Sequence, residues 1–107
     1  MEQVAALPSL EARVKLYRAE GGQSNLMGFA DLVVGGAFVI RGLRILMSKP
    51  TAERAGGLFV AFPSRRGTGE QQDKYFEVAH PITAEARSAA RELVLRTYEE
   101  ACGEARA

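Results

Sequence analysis

The residues of this sequence best suited to chemistry are arginines, two of which are adjacent. Arg65 and Arg66 follow Pro63 and Ser64 at the end of the apolar run GLFVAF, which begins at Gly57. Proline removes a backbone donor and ends a strand, so this spacing predicts a polar loop that holds two guanidiniums at the mouth of a rigid strand. Because a guanidinium donates several fixed hydrogen bonds to phosphate, the pair predicts an anion-binding site.

A second set of arginines lies on a predicted C-terminal helix. Arg87 and Arg91 fall along one border of its apolar stripe, together with Tyr98. If the helix packs back on the sheet beside the arginine loop, the two sets can grip a nucleic-acid backbone, with Tyr98 or Tyr75 stacking on a base. The alternative is that these arginines only keep the surface soluble, and the pattern alone does not decide between the two.

Residues for catalysis or metal binding are scarce. His80 is the single histidine and Cys102 the single cysteine, and neither has a partner at metal-ligand spacing. No phosphate-binding loop, dinucleotide fingerprint or nucleophile elbow occurs. His80 precedes Pro81, where a hydrogen bond to backbone is favoured over catalysis. We therefore expect no enzymatic activity, no metal, no cofactor and no small-molecule substrate.

The composition and charge of the chain restrict the classes of protein to which it can belong. The 107 residues are 47% hydrophobic and 25% charged, as in an ordinary soluble domain. The net charge is +1, so a nucleic-acid partner has to be argued from local clustering; 11 of the 14 cationic side chains are arginine. No stretch approaches the roughly 20 apolar residues of a membrane span, and no basic leader precedes an apolar run. A cytoplasmic protein without membrane contact is expected.

Alternation and turn signals predict the elements that position the arginines. Gly35 and Gly36 between apolar runs predict a hairpin turn with positive φ angles, and Gly42 inside a strand predicts a bulge. Thr83 is the predicted N-cap of the helix and Gly103 its stop, and residues 21–24 are the predicted first turn. The strands are predicted at residues 11–19, 26–34, 37–47, 57–62 and 73–79. Residues 1–9 are predicted to be a mobile extension, 10–103 the single domain and 104–107 a tail.

These elements predict an α+β fold, an antiparallel five-stranded sheet with one C-terminal helix. One helix covers only one face of a sheet, yet the third and fourth strands are apolar on both faces. A second copy of the chain is the simplest cover for the remaining face, so a homodimer is expected.

Three segments resemble a known family. The runs FVIRGLRIL and GLFVAFPSRR, followed by His80-Pro81-Ile82 before a helix, are similar to the hallmark of the SpoVG family of septation proteins, and the resemblance extends from about Ala12 to Ala101. Phe62 stands where the family usually has methionine. Two loops, residues 48–56 and 67–73, look longer than usual for the family.

The resemblance implies a small homodimer with an antiparallel sheet and a C-terminal helix, which binds DNA and RNA and regulates septation, sporulation or gene expression. It also implies that Arg65 and Arg66 match the family's basic positions, with Arg87 and Arg91 matching those of its helix. A second hypothesis is a protein-interaction module in cell-division control, in which an exposed strand edge or the helix docks a partner and nucleic-acid affinity is incidental.

Overall fold

The computed structural model describes residues 7–18, 25–53 and 56–106 of the chain. These residues form six strands, a short 3₁₀ turn and one long α-helix. The strands are β1 (Leu10–Leu16), β2 (Leu26–Val34), β3 (Phe38–Ser48), β4 (Gly57–Ala61), β5 (Ser64–Arg66) and β6 (Tyr75–Glu77). The 3₁₀ turn is Gly69–Gln71, and the helix is α1 (Ala84–Arg106).

The first four strands form an antiparallel sheet in the order β1-β2-β3-β4, and β5 and β6 form a separate two-stranded ribbon. The α+β class with a C-terminal helix is confirmed, but the prediction of one five-stranded sheet is wrong. Pro63 lacks the N–H that would continue β4 in the sheet, so the chain bends there. The predicted fifth strand is shorter, β6, and pairs with β5 instead of β4.

The hairpin between β2 and β3 forms where two glycines predicted it. Gly35 has a φ angle of 62° and Gly36 of 67°, and the amide of Ala37 donates to the carbonyl of Val34. The loop includes Ala37 as well, because strand pairing resumes with Val34 opposite Phe38. The local turn chemistry therefore sets the register of the two central strands.

A bulge in β3 lies at the predicted glycine. Gly42 has a φ angle of 87°, and the register between β2 and β3 shifts at this point. Only glycine adopts such a φ angle without strain, so the position favours glycine. A Cβ at Gly42 would meet the ring of Pro63 at 3.8 Å, which places the bulge beside the bend that follows β4.

The core lies between the four-stranded sheet and α1, which contacts β1, β2 and β4. From the helix, every fourth residue of one stripe is buried: Ala90, Val94 and Tyr98. The buried residues of the sheet side are Ala30, Leu32, Leu43, Ile45 and Phe62. Because Tyr98 is only 8% exposed, the prediction that it is available to stack on a base is wrong.

The two ends of α1 test the predicted N-cap and the predicted stop of the helix. The hydroxyl of Thr83 accepts a hydrogen bond from the amide of Ala86 at 3.0 Å, which confirms Thr83 as the N-cap. The predicted stop at Gly103 is wrong, because the helix continues to Arg106. Glycine costs only about 1 kcal/mol in a helix interior, and no neighbouring atom lies within 4 Å of a Cβ built there.

The remaining predictions concern the edges of elements. β1 ends at Leu16, three residues before the predicted end, and the predicted turn at residues 21–24 lies outside the described residues, as do residues 1–6. The carbonyl of Ser9 accepts a hydrogen bond from the amide of Gly35 at 2.7 Å.

Within the described part of the chain no helix is long and apolar enough to cross a membrane.

Candidate nucleic-acid interface

The arginine pair is positioned by the bend at Phe62 and Pro63. Phe62 is 2% exposed and fixes the end of β4 in the core, whereas Pro63 turns the chain out of the sheet. The carbonyl of Pro63 accepts a hydrogen bond from the amide of Val78 at 2.8 Å. This hydrogen bond joins the segment that precedes β5 to the segment that follows β6. The base of the ribbon is therefore fixed to the core.

Arg65 and Arg66 lie on β5, where a loop was predicted. Ser64 pairs with Glu77, Arg65 with Phe76 and Arg66 with Tyr75. Successive residues of a strand point to opposite faces, so the two guanidiniums do not lie side by side as the sequence pattern suggested. Each arginine is exposed and has an aromatic residue as its cross-strand partner.

The far end of the ribbon is closed by an eight-residue loop, residues 67–74, that contains the 3₁₀ turn. The Nε of Arg66 donates to the carbonyl of Gln72, and the amide of Gly67 donates to the carbonyl of Lys74 at 2.8 Å. A Cβ at Gly67 would collide with the carbonyl of Gln71, so only glycine fits this turn. The turn thus holds the stem of Arg66 while leaving most of its five N–H donors available.

Arg87 joins α1 to the ribbon. Its Nη2 donates to Oε1 of Glu77 on β6 at 3.1 Å, and its guanidinium carbon lies 5.1 Å from the centre of the Phe62 ring. The guanidinium therefore has both an anionic and an aromatic neighbour. With its charge paired, Arg87 is better placed to position the ribbon than to contact a ligand.

His80 completes this corner and behaves as predicted. Its Nδ1 lies 2.9 Å from the carbonyl oxygen of Pro81, which confirms the hydrogen bond to backbone. This hydrogen bond requires the proton on Nδ1, because a carbonyl only accepts; Nη2 of Arg87 lies 3.4 Å from the same nitrogen and can donate to it only in the other tautomer. The same nitrogen lies 3.7 Å from the carboxylate of Glu77. Glu77 is thus the residue that sequence reasoning missed: it lies only three residues before His80, but its pairing with Arg87 depends on the fold.

Arg91 lies one helical turn beyond Arg87, is exposed, and forms no ion pair with a described residue. The structure brings Arg87 into contact with the ribbon, but it gives no direct contact among Arg65, Arg66 and Arg91. Of the two tyrosines predicted to stack on a base, Tyr75 is 70% exposed and lies opposite Arg66. The exposed residues that remain available to contact a ligand are therefore Arg65, Arg66 and Tyr75 on the ribbon and Arg91 on the helix.

Among the residues that the structure describes, no three His, Cys, Asp or Glu side chains are grouped to hold a metal ion. Cys102 is a half-buried free thiol near the end of α1.

Comparison with known proteins identifies relatives along nearly the whole chain. The SpoVG family model matches residues 9–100. A septation protein SpoVG of Heliobacterium modesticaldum is 33% identical over 95 residues, which are 89% of this chain and 93% of the relative. A septation protein SpoVG 2 of Listeria monocytogenes is 35% identical over 87 residues, 80% of this chain and 74% of the relative. A SpoVG protein of Phytoplasma australiense is 31% identical over 83 residues, 78% of this chain and 77% of the relative.

Proposed function

Because the chain belongs to the SpoVG family, whose members above are named as septation proteins, we propose that it is a small homodimeric regulator that binds DNA or RNA in the cytoplasm. Its targets are expected to affect septation, sporulation or gene expression. The observation that carries the proposal is the ribbon of β5 and β6. It presents Arg65 and Arg66, both exposed, on a base fixed by Pro63 and Arg87.

The ribbon offers phosphate two arginines that are not engaged in ion pairs. Arg65 and Arg66 have no ion pair with a described residue, and the carboxylate nearest the base of the ribbon, Glu77, is engaged by Arg87. The turn carries Glu70 and Asp73, so the ribbon as a whole is not strongly basic. Binding therefore depends on the individual arginines rather than on the field of a chain whose net charge is +1.

The four predicted site residues have different roles in this proposal. Arg65 and Arg66 contact phosphates from the two faces of the ribbon, and Tyr75 stacks on a base beside Arg66. Arg91 adds a phosphate contact from the helix. Arg87 holds the ribbon against α1 and adds little direct contact, since its charge is already paired.

The proposed homodimer has a self-complementary surface near the N-terminus of α1. A groove of about 280 Å³ there is lined by apolar side chains that include Leu32, Val34 and Ile40. Ile82 stands at its rim and is 91% exposed. A two-fold axis would let Ile82 of each copy enter the groove of the other, which is the reciprocal contact a symmetric dimer requires. The sequence pattern had instead suggested that a second copy covers the open sheet face.

One observation favours a protein-interaction module as the second candidate function. β1 and β4 are the outer strands of the sheet, and each leaves one row of backbone donors and acceptors without a neighbouring strand among the described residues. An extended segment of a partner can pair with such an edge. In that case nucleic-acid binding would be incidental and the arginines would serve solubility.

The experiment that separates the two functions compares fluorescence anisotropy of labelled duplex DNA and single-stranded RNA at two salt concentrations. We expect wild-type binding to weaken with salt, with a log-log slope of about 0.9 per phosphate contact on the duplex. The double variant Arg65→Ala/Arg66→Ala should lose binding to the duplex. The matched control is Arg96→Ala, an exposed arginine on the opposite side of α1 from Arg91.

Two outcomes would count against the regulator. If neither nucleic acid binds at low salt, the ribbon is not a phosphate-binding surface. If the Arg65→Ala/Arg66→Ala protein binds the duplex as well as the Arg96→Ala protein does, the arginines of the ribbon are not the contact residues.

A further inference from the structure

The sheet face that points away from α1, called here the open face, carries an ordered pattern of cations and aromatic side chains. Lys15, Phe29, Arg44 and Ala61 are direct cross-strand neighbours and form one row across all four strands. The adjacent row places Leu46 opposite Phe59. Arg44 therefore lies beside Phe29 and diagonal to Phe59, within reach of both rings.

The aromatic residues of this face remain accessible to solvent. Phe29, on the central strand β2, is 39% exposed, and Phe59, on the outer strand β4, is 40% exposed. Tyr17 contacts Phe29 edge to face, with the ring centres 5.8 Å apart, and so supports the ring from the side. An ordinary solvated sheet face alternates polar residues outward, whereas this one exposes phenyl rings between charged residues.

The cations of the open face are only partly compensated. Arg13 pairs with Glu11 at 3.3 Å and lies opposite Asp31 in the register. Lys15 and Arg44, which flank Phe29, form no ion pair with any described residue. A shallow depression of about 230 Å³ lies between β1 and β2 and is lined by Arg13, Lys15, Phe29 and Asp31 among others. The face thus combines a recess, uncompensated positive charge and accessible rings.

We propose that the open face binds single-stranded nucleic acid, with unpaired bases stacked on Phe29 and Phe59 and with Lys15 and Arg44 contacting the phosphates. This site is separate from the ribbon, and the proposal rests on the function proposed above in that the ligand is again a polynucleotide. Bases in a duplex are stacked on one another and cannot reach a flat sheet, so the open face selects single strands.

Charge argues for a polyanion on this face rather than a second copy of the chain. A two-fold contact between two open faces would bring the unpaired Lys15 and Arg44 of both copies into one interface, whereas the carboxylates of this face, Glu11 and Asp31, already lie beside Arg13. Like charges that are desolvated together disfavour such a contact. A phosphate backbone carries the opposite charge along its whole length, and bases supply the flat apolar surfaces that phenyl rings accept.

The first test uses a fluorescent reporter at the site. The chain contains no tryptophan, so Phe59→Trp introduces a single reporter that keeps an aromatic ring at this position. Titration with an oligouridine of about twelve nucleotides, within the range of known single-strand footprints, should quench the emission. A single-stranded DNA counterpart of the same length and a duplex are titrated in the same way. Quenching by both single strands and not by the duplex is the expected result, and the stronger of the two identifies RNA or DNA as the preferred ligand.

The second test removes stacking while keeping apolar volume. The double variant Phe29→Leu/Phe59→Leu should lose affinity for the single strand by about tenfold or more, since stacking on each base contributes that order of effect. Phe38→Leu is the matched control, because Phe38 is 75% exposed but pairs with Val34 on the other side of the sheet. Circular dichroism shows whether each variant is folded. If the double leucine variant does not fold, the single variant Phe59→Trp still tests the site.

Each unfavourable outcome has a distinct meaning. Unchanged single-strand affinity in the double leucine variant, or no quenching of the tryptophan, would overturn the open-face site while leaving the ribbon proposal intact if Arg65→Ala/Arg66→Ala still loses binding. Tryptophan emission that changes with protein concentration in the absence of nucleic acid would assign the face to a second copy. Absence of all binding in the wild type would overturn both proposals.

Discussion

Glu77 of β6 and Arg87 of α1 form the ion pair that attaches the ribbon to the helix, with Nη2 and Oε1 separated by 3.1 Å. The two residues belong to different elements and are joined through the corner that contains His80 and Pro81. Because Phe62 underlies the same guanidinium, the base of the ribbon is held by the core as well as by charge.

A double-mutant cycle measures how much the pair of Glu77 and Arg87 contributes to the free energy of unfolding. In Glu77→Gln, Arg87→Gln and the double variant, we expect a coupling of roughly 0.2–1 kcal/mol in the free energy of unfolding, because both side chains are more than a third exposed and solvent screens them. Urea unfolding at low and high salt gives the values. A coupling indistinguishable from zero at low salt would mean that the ribbon is held by backbone contacts and Phe62 alone.

The bulge at Gly42 predicts a glycine requirement. Gly42→Ala forces a side chain into a φ angle of 87°, so we expect a loss of about 1–2 kcal/mol in the free energy of unfolding. Gly57→Ala is the matched control, since a Cβ at Gly57 meets no atom within 4 Å and its φ angle is not in the left-handed region. Equal stability of the two variants would contradict a strained bulge.

The N-cap of α1 gives a third prediction. Thr83→Ala removes the acceptor for the amide of Ala86 and should lower stability by about 1 kcal/mol. Thr83→Ser keeps the hydroxyl and should recover most of the loss. Thermal unfolding of the three proteins distinguishes the cases, and a serine variant as unstable as the alanine variant would show that the methyl group, not the cap, matters.

The dimer surface can be tested by charge insertion. Ile82→Glu introduces a carboxylate at the rim of the apolar groove and should convert the proposed dimer to a monomer in light scattering at micromolar concentration. Val39→Glu is the control, because Val39 is 47% exposed and lies opposite Val33 on the open face. The reverse pattern, dissociation by Val39→Glu alone, would move the dimer contact to the open face, and a monomeric wild type would remove the dimer altogether.

Local signals in the sequence predicted the parts of the fold that depend on local chemistry. The glycine hairpin, the bulge at Gly42 and the cap at Thr83 each follow from one residue type in one backbone conformation. The strand boundaries of β2 and β3 were predicted within one residue because apolar alternation is long there. These features need no knowledge of distant partners.

The parts that depend on distant partners were not predictable in the same way. β5 and β6 have three residues each, too few for an alternation signal, and their pairing depends on how Pro63 redirects the chain. Tyr98 was assigned to the border of the helical stripe, but it follows Ala90 and Val94 at four-residue spacing and packs in the core. The pair between Glu77 and Arg87 required the three-dimensional course of the intervening corner.

The ribbon is built from exposed residues and supplies none of the buried core, which affects how it opens. All six residues of β5 and β6 are exposed, whereas β2 and β3 contain Leu32, Leu43 and Ile45 in the core. Local opening therefore requires no disruption of the core, and the ribbon amides should exchange with deuterated solvent far sooner than those of the central strands. The arginines consequently sit on a segment that can change its curvature to follow an irregular surface while the rest of the domain stays folded.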